Sequence, residues 1–278
     1  MALVFVLMIC AILAVLMNIT IISYQNSLKM SSIINKRADT EAMLLSAKTN
    51  VVTELMSSEV NVLGLNQSTI SEVTSFDNFQ GVPFIYKETM EVSITDLSGL
   101  ISISPLNKGA LYKLFSSKGM DEQQWLALID RFDDWEDEDS LTRIQGKELG
   151  DYKGRKALPM NLSIQSTSDI YYLLDDDFKS NFSQFSGWLT VYGSPESVRS
   201  KMPKQLQAQV YDTGEESGIV SDYFASTQEA IEETDYPSGQ FLVSVAARDE
   251  SITIKLKFKI IRGLGTFQPF YVIDETYE

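Results

Sequence analysis

Several residue types are absent or scarce, and each absence narrows the chemistry open to this chain. There is no histidine among the 278 residues, which removes the commonest general base and metal ligand, and with it every Ser–His or Cys–His nucleophilic site. The single cysteine, Cys10, cannot form an intramolecular disulfide. We therefore expect a protein without enzymatic activity, and any metal ion would be a hard cation with oxygen ligands, such as Ca²⁺.

Charge is absent from the first 28 residues, which run MALVFVLMICAILAVLMNITIISYQNSL up to Lys29. The apolar part, from Met1 to about Ile22, is long enough for a hydrocarbon core that takes roughly 20 residues. No basic segment precedes it and no small-residue cleavage pattern follows it, as a secretory signal peptide would require. We therefore expect a retained single-pass anchor in a lipid bilayer.

The first basic residues, Lys29, Lys36 and Arg37, follow the apolar run. Taken alone, they would place the C-terminal part of the chain in the cytoplasm. Two interpretations stay open. Met1 is an ordinary start methionine, or it is the first mature residue, exposed when a prepilin peptidase removes a basic leader. In the second case the bulk of the chain lies in the periplasm.

The net charge of −15 and the pI near 4.5 limit the partners of the part outside the membrane. Phosphate groups would be repelled, so we expect no nucleic acid partner. An anionic lipid surface is disfavoured for the same reason. The balance suits a soluble body facing a periplasm or exterior, or one that collects cations.

Helical periodicity continues beyond the apolar run, without Gly or Pro until Gly64. It predicts one continuous helix from about residue 2 to 57, roughly 80 Å long. Apolar residues at steps of four and seven predict one buried stripe on its second half: Ile34, Ala38, Leu45, Val52 and Met56. The helix is either the stalk of a receptor or the spine helix of a pilin-like subunit.

The pattern of the rest of the chain predicts strands, then helices, then strands. Alternation predicts strands over 82–94, with a turn at 96–99 and a return strand over 100–103, and again over 241–260 with a hairpin turn at 248–251 and a last strand at 270–273. Helical spacing lies between, over 111–132, 170–174, 177–185 and 203–210, with strand character at 188–192. We predict an α+β fold with four parts: 1–57, a transmembrane or spine helix; 58–104, a first sheet part; 105–215, an inserted α-domain; and 216–278, the C-terminal strands.

An acidic segment carries eleven carboxylates between Asp121 and Asp151. Adjacent carboxylates repel each other by on the order of 1 kcal/mol per pair in water, and Ca²⁺ would relieve that repulsion with six to eight oxygen ligands. The spacing is not that of an EF-hand. The other interpretation is a solvated acidic loop.

These pieces together resemble the general secretion pathway protein K family, the large minor pseudopilins of bacterial type II secretion systems. The resemblance covers most of the chain and is weakest over about 195–237. The resemblance rests on four segments: the N-terminal apolar run, a D-x-x-G-type strand pair over 94–107, the DWEDED run at 134–139 with its downstream residues, and the C-terminal hairpin. The downstream residues are Gly146, Glu148, Asp151, Tyr152, the Pro-Met-Asn at 159–161, Ser166, Ser168, Asp169 and Ile170. Ser102 and Ser104 depart from it, since the family has asparagines there, and its Asn-Thr-Ala-like segment is not evident after residue 190.

The resemblance implies a type IV pilin-like fold with a large inserted all-α domain. It also implies a place at the tip of a short pseudopilus, with minor pseudopilins of the I and J types and also the H type. Cleavage by a prepilin peptidase and methylation at Met1, a start in the inner membrane, and contact with the inner-membrane secretion platform follow as well.

Two further implications concern side chains. Most pilins carry a glutamate at the fifth mature position, which neutralises the N-terminal amine of a neighbour. The K family typically lacks it, and if Met1 is the first mature residue the position here is Phe5. The family's Ca²⁺ sites map onto Asp137, Asp139, Glu148 and Asp151. The resulting function is initiation or capping of the pseudopilus in protein export across the outer membrane. The alternative is a single-pass periplasmic sensor or receptor with an acidic, cation-binding domain.

Overall fold

The computed structural model of the chain describes residues 2–57, 79–87, 90–152, 161–211, 237–248, 253–263 and 268–277. Helix α1 runs unbroken over Ala2–Ser57, 56 residues. This confirms the predicted single helix, because no Gly or Pro interrupts its backbone hydrogen bonds.

Helix α1 has two parts with different surroundings. From Leu3 to Asp39 every side chain is exposed, and the helix is long and apolar enough to cross a membrane. Buried contacts begin only at Thr40 and continue along one stripe: Leu44, Ala47, Val51, Val52 and Leu55. Side chains three and four apart share a face of a helix, and this face packs on the sheet.

The predicted stripe was wrong in its phase. Ile34, Ala38 and Leu45 are exposed, whereas Val52 is buried and Met56 packs at the edge of the core. The helix between residues 40 and 56 has apolar residues on more than one face, and the position of the sheet decides which face is covered. Ile34 and Ala38 lie before the first turn that reaches the sheet.

Five strands form one antiparallel sheet in the order β1-β2-β5-β6-β7. They are β1 Phe84–Tyr86, β2 Met90–Asp96, β5 Gln240–Arg248, β6 Thr253–Arg262 and β7 Phe270–Tyr277. Helix α1 packs on β5 and β6. Alternate residues of β2, β5 and β6 face it, and Val243 lies between Ile94 and Phe258 in the register. The three lysines of β6 point the other way. The predicted turn at 248–251 lies mostly outside the described residues.

The predicted return strand after the turn at 96–99 does not pair with β2. A 3₁₀ turn, Leu97–Gly99, leads instead into β3, Ile101–Ser102, which pairs in parallel with β4, Leu189–Thr190. Strand β2 already has β1 on one side and β5 on the other, so no edge is free for it. The side chains of β3 are buried in the helical part of the chain.

The segment from β3 to residue 211 forms a second, largely helical body. Its helices are α2 Lys108–Ser117, α3 Glu122–Glu136, α4 Ile170–Leu173, α5 Asp176–Lys179 and α6 Lys204–Tyr211, with 3₁₀ turns at Leu149–Asp151, Phe182–Gln184, Ser186–Trp188 and Arg199–Lys201. Its core buries six aromatic side chains among aliphatic ones, and Phe115 makes edge-to-face contacts with Phe178 and Phe185. Such contacts add to area burial.

One buried carboxylate lies where the chain passes between the two bodies. Asp96 is fully buried at the end of β2 and accepts hydrogen bonds from the backbone N–H of Ser98 (2.9 Å) and of Ser238 (2.8 Å). The ammonium of Lys201 lies 3.7 Å from its Oδ2. Asp96 therefore joins the start of the helical insertion to the start of β5.

The architecture is α+β, with a long N-terminal helix, an antiparallel sheet and a large helical insertion. This confirms the predicted α+β class and the predicted order of helix, strands, helical insertion and strands. The four predicted domain boundaries stay a prediction, and the observed helical core already includes Ile101 and Ile103.

Candidate metal centre

Helix α3 carries the acidic segment and is fixed at its first residue. Asp121 accepts from the backbone N–H of Gln124 (2.8 Å), and the side chain of Gln124 accepts in return from the backbone N–H of Asp121, a capping box. The opposite end of α3 is unusual. Asp133, Asp134 and Asp137 gather there, where the helix dipole disfavours negative charge.

Arg143 compensates part of that charge. Its Nη1 lies 2.8 Å from Asp134 Oδ1 and 2.6 Å from Asp137 Oδ2. Hydrogen bonds to Asp137 and Asp134 raise the pKa of Arg143 above its ordinary value. Asp134 is fully buried and also accepts from the backbone N–H of Arg143. The loop after α3 is therefore folded back onto the end of the helix.

Gly146 allows this loop to lie close to α3. A Cβ atom at this position would fall 1.7 Å from Asp134 Oδ2, far inside van der Waals contact. The neighbouring Gln145 donates its backbone N–H to Asp130 Oδ2 (3.1 Å). Only glycine fits here while Asp134 keeps its place.

The folded loop brings three of the four predicted ligands together. One carboxylate oxygen from each of Asp137, Asp139 and Glu148 lies within 4.8 Å of the other two. Two oxygens bound to the same Ca²⁺ at 2.3–2.6 Å can be at most about 5 Å apart. Asp137 Oδ1 and Glu148 Oε1 are buried atoms with no hydrogen-bond partner among the described residues. This donor set fits a hard cation.

The fourth predicted ligand, Asp151, has a different place. Its Oδ2 accepts from the backbone N–H of Glu148 (3.0 Å) in the 3₁₀ turn Leu149–Asp151, and it is not in the group of three. Asp151 orients the backbone of Glu148 rather than joining the cluster directly.

Two pKa shifts mark the electrostatics of this region. Burial raises the pKa of Glu148 above its ordinary value, and the carboxylates of Asp134, Asp137 and others add to the effect. Burial also raises the pKa of Tyr152 to about 12; its ring packs edge-on against Trp135. A divalent cation would offset the carboxylate repulsion that contributes to the raised pKa of Glu148.

Two residues that organise the cluster were not identified from the sequence. Asp134 was one carboxylate among many, and nothing in its spacing marked it as the buried one. Arg143 did carry a signal, because it is the single basic residue between Phe132 and Gly146.

The N-terminal residues singled out by sequence are Met1 and Phe5, and neither belongs to the carboxylate cluster. Phe5 is on the exposed part of α1, with 66% of its surface accessible. Met1 lies outside the described residues. The chain from Ala2 to Leu28 has no acidic side chain that could pair with an amine.

No protein-family model matches this sequence, and no curated protein matches it. Among solved structures, the chain is similar to one in the crystal structure of the GspK-GspI-GspJ complex from the enterotoxigenic Escherichia coli type 2 secretion system. The similarity has 13% sequence identity and a TM-score of 0.49, and it covers 88% of this chain and 99% of that one.

Proposed function

We propose that this chain is a minor pseudopilin that acts at the tip of a type II secretion pseudopilus. The observation that carries the proposal is the division of α1. Its N-terminal part exposes apolar side chains on every face, while its last five turns pack on an antiparallel sheet. A helix that is apolar all round must be covered by lipid or by other helices. A pilin-type spine uses lipid first and sister spines after assembly.

The side chain at position 5 favours a terminal place in the filament over a repeating one. An N-terminal amine in an apolar filament core needs a charged partner, because an unpaired buried charge is costly. Phe5 offers no such partner to a neighbouring subunit. Residues 1–28 can receive contacts from neighbouring helices, but they contain no carboxylate with which to hold the amine of another subunit.

The helical body gives a second reason for a terminal place. It is inserted between β2 and β5 and holds its own core of more than twenty side chains. Bulk of this size beside the sheet hinders stacking of a further subunit above it. The proposed partners are therefore minor pseudopilins of the I, J and H types. Before assembly, the proposed partners of the chain are the inner membrane, the prepilin peptidase and the secretion platform.

We also propose that Asp137, Asp139 and Glu148 hold Ca²⁺. The support is the 4.8 Å grouping of their oxygens and the two buried acceptor atoms without hydrogen-bond partners. The ion would fasten the loop after α3 to the 3₁₀ turn that follows it. Its contribution is structural: it neutralises charge at the C-terminal end of α3.

The test uses the full-length chain, produced together with the I- and J-type pseudopilins of its own system and isolated in detergent. We expect the three to co-isolate, and gold labelling to place this chain only at pseudopilus ends. Failure to co-isolate, or label repeated along the shaft, would contradict the tip role. A chain that stays alone in the membrane and responds to Ca²⁺ would favour the receptor alternative.

A variant pair separates charge from shape at position 5. Phe5→Glu supplies the missing carboxylate, and we expect label to appear within shafts as well as at ends. Phe5→Leu keeps the position apolar and should leave the end-only distribution unchanged. Mass spectrometry of the mature N-terminus tests the processing independently, by identifying Met1 and a methylated amine.

A further inference from the structure

Four large aliphatic side chains around the carboxylate cluster point into solvent. We call them the loop hydrophobics: Leu141 (77% exposed), Ile144 (98%), Leu149 (42%) and Leu162 (54%). Among the described residues beyond Leu45, seven large aliphatic side chains are exposed to this degree. More than half of them therefore fall in one short part of the fold.

Hydrogen bonds or sequence adjacency connect three of the loop hydrophobics to the cluster. Leu141 donates its N–H to Asp139 Oδ1 (2.8 Å). Leu149 directly follows Glu148, whose carboxylate belongs to the cluster. Leu162 follows Asn161, whose side chain donates to the carbonyl of Asp139 (3.2 Å). Each of these three is linked to the cluster by a hydrogen bond or by sequence adjacency, and Ile144 lies on the same loop between Leu141 and Leu149.

The exposure of Ile144 is imposed by a fixed backbone. The residue before it, Arg143, is bound to Asp134 through both backbone and side chain. The residue after it, Gln145, donates its backbone N–H to Asp130 (3.1 Å). These contacts already order the backbone that carries Ile144. A partner that covers this side chain therefore loses less free energy to backbone ordering on binding.

The charge around the loop hydrophobics indicates what would cover them. Between Asp130 and Asp151 there are nine carboxylates and three basic residues. Even one bound Ca²⁺ would leave this region negative. An anionic membrane surface is repelled, whereas a protein surface with Lys and Arg around an apolar pocket is attracted.

We propose that the loop hydrophobics form a docking surface for a protein partner, with Ile144 entering an apolar pocket rimmed by basic side chains. Exposed apolar groups ringed by polar residues mark interaction sites. A central anchor with a charged rim is the usual division of energy in protein interfaces. The surface does not depend on the place of the chain in a pseudopilus, because it lies on the helical body and not on α1.

A photo-crosslinking residue at position 144 of the full-length chain, in intact cells, tests this surface. Ile85, an exposed isoleucine on β1 (62%), is the matched control position. We expect one protein adduct at 144 that is absent at 85. Its cross-linked peptide should be an apolar segment flanked by Lys or Arg. A lipid adduct, an adduct at both positions, an acidic target peptide or no adduct would each overturn the proposal.

Binding of the identified partner, purified and titrated with the full chain in detergent, provides the quantitative test. Ile144→Ser should raise the dissociation constant by about tenfold or more, and Ile85→Ser should leave it unchanged. Raising the salt from about 0.05 M to about 0.5 M should raise the dissociation constant further, because rim charges are screened. Equal loss in both variants, or no salt dependence, would contradict an anchored, charge-matched interface.

Discussion

The sheet body and the helical body bury different kinds of atoms. Where α1 meets the sheet, the core is aliphatic and aromatic, with polar side chains on the outer face. The helical body buries Asp134 and most of Arg131, and it contains seven of the eight buried polar atoms that lack a partner among the described residues. The eighth is Gln240 Oε1, in β5.

This difference separates a body that contributes mainly stability from a body that has groups able to bind a ligand. The buried carboxylate of the sheet body, Asp96, already accepts hydrogen bonds from Ser98 and Ser238, so this body gives stability and offers a ligand little. Buried polar atoms without partners cost free energy unless a water, an ion or a ligand satisfies them. The helical body bears that cost at Asp137 and Glu148, which is where a ligand would act.

The largest effects should come from removing one aromatic side chain from each core. Phe258→Ala in the sheet body and Phe115→Ala in the helical body should each lower the free energy of unfolding by about 3–5 kcal/mol. If the two cores are distinct, each variant lowers only one transition in a chemical denaturation followed by near-UV circular dichroism. A single transition shifted equally by both variants would mean one cooperative unit.

Calcium should stabilise only the helical body. At a hundredfold excess over its dissociation constant, Ca²⁺ would add about 2.7 kcal/mol, seen as a higher Tm that EDTA reverses. Asp139→Asn should abolish most of this gain, and Asp176→Asn, whose side chain is almost fully exposed, should not. A Tm that is unchanged by EDTA in the unmodified chain would exclude the site.

Gly146 tests how closely the loop must approach α3. Gly146→Ala places a methyl group against the carboxylate of Asp134, and we expect a loss of about 1–3 kcal/mol, together with weaker Ca²⁺ binding. Gly150→Ala is the control, because its Cβ would meet nothing within 4 Å. Equal effects from the two substitutions would mean that the loop relaxes freely.

Calcium binding should also depend on pH through Glu148. Its pKa is raised in the folded chain, so without metal the ionised carboxylate costs stability, and this cost grows as pH rises through the ordinary range of glutamate. Ca²⁺ requires the ionised form, so its affinity should fall as pH drops, by up to about tenfold per unit below the raised pKa. Isothermal titration at several pH values measures this slope. Glu148→Gln should flatten it, and an unchanged slope would assign the proton to another group.

The smallest effect should come from the ion pair between Lys48 of α1 and Glu275 of β7. Lys48→Gln should cost about 0.5–1 kcal/mol, part of it from the contact of Lys48 with the ring of Phe258. Arg37→Gln removes an exposed pair with Glu41 and should have almost no effect. A larger loss from Arg37→Gln, measured by denaturant titration, would indicate that the exposed part of α1 contributes to stability.

Local signals in the sequence were sufficient for some elements and not for others. The continuity of α1 follows from the absence of Gly and Pro, and β5 and β6 follow from strict alternation. The buried face of α1 could not be predicted, because several apolar faces compete and only the sheet selects one. The prediction that the strand after the turn pairs with β2 failed for the same reason. Whether β2 has a free edge depends on β5, which is more than 140 residues away along the chain.

The candidate site divides in the same way. Charge density predicts a cation site in the acidic segment, and the family resemblance selects Asp137, Asp139 and Glu148, which the structure brings together. The separate place of Asp151 and the roles of Asp134, Arg143 and Gly146 depend on how the loop folds back. That path is set by hydrogen bonds between residues nine to fifteen apart, which no periodic pattern reveals.

The exposed stretch of α1 between its apolar run and its first sheet contact has a geometric consequence. Residues 23–39 span about 25 Å as a helix, which sets the height of the sheet body above the end of the apolar segment. Removing two residues from this stretch would change that height by only about 3 Å. It would turn the sheet body by about 200° around the helix axis, since each residue contributes about 100°. The number of residues in this stretch therefore sets the direction in which the sheet body faces far more sharply than it sets the height.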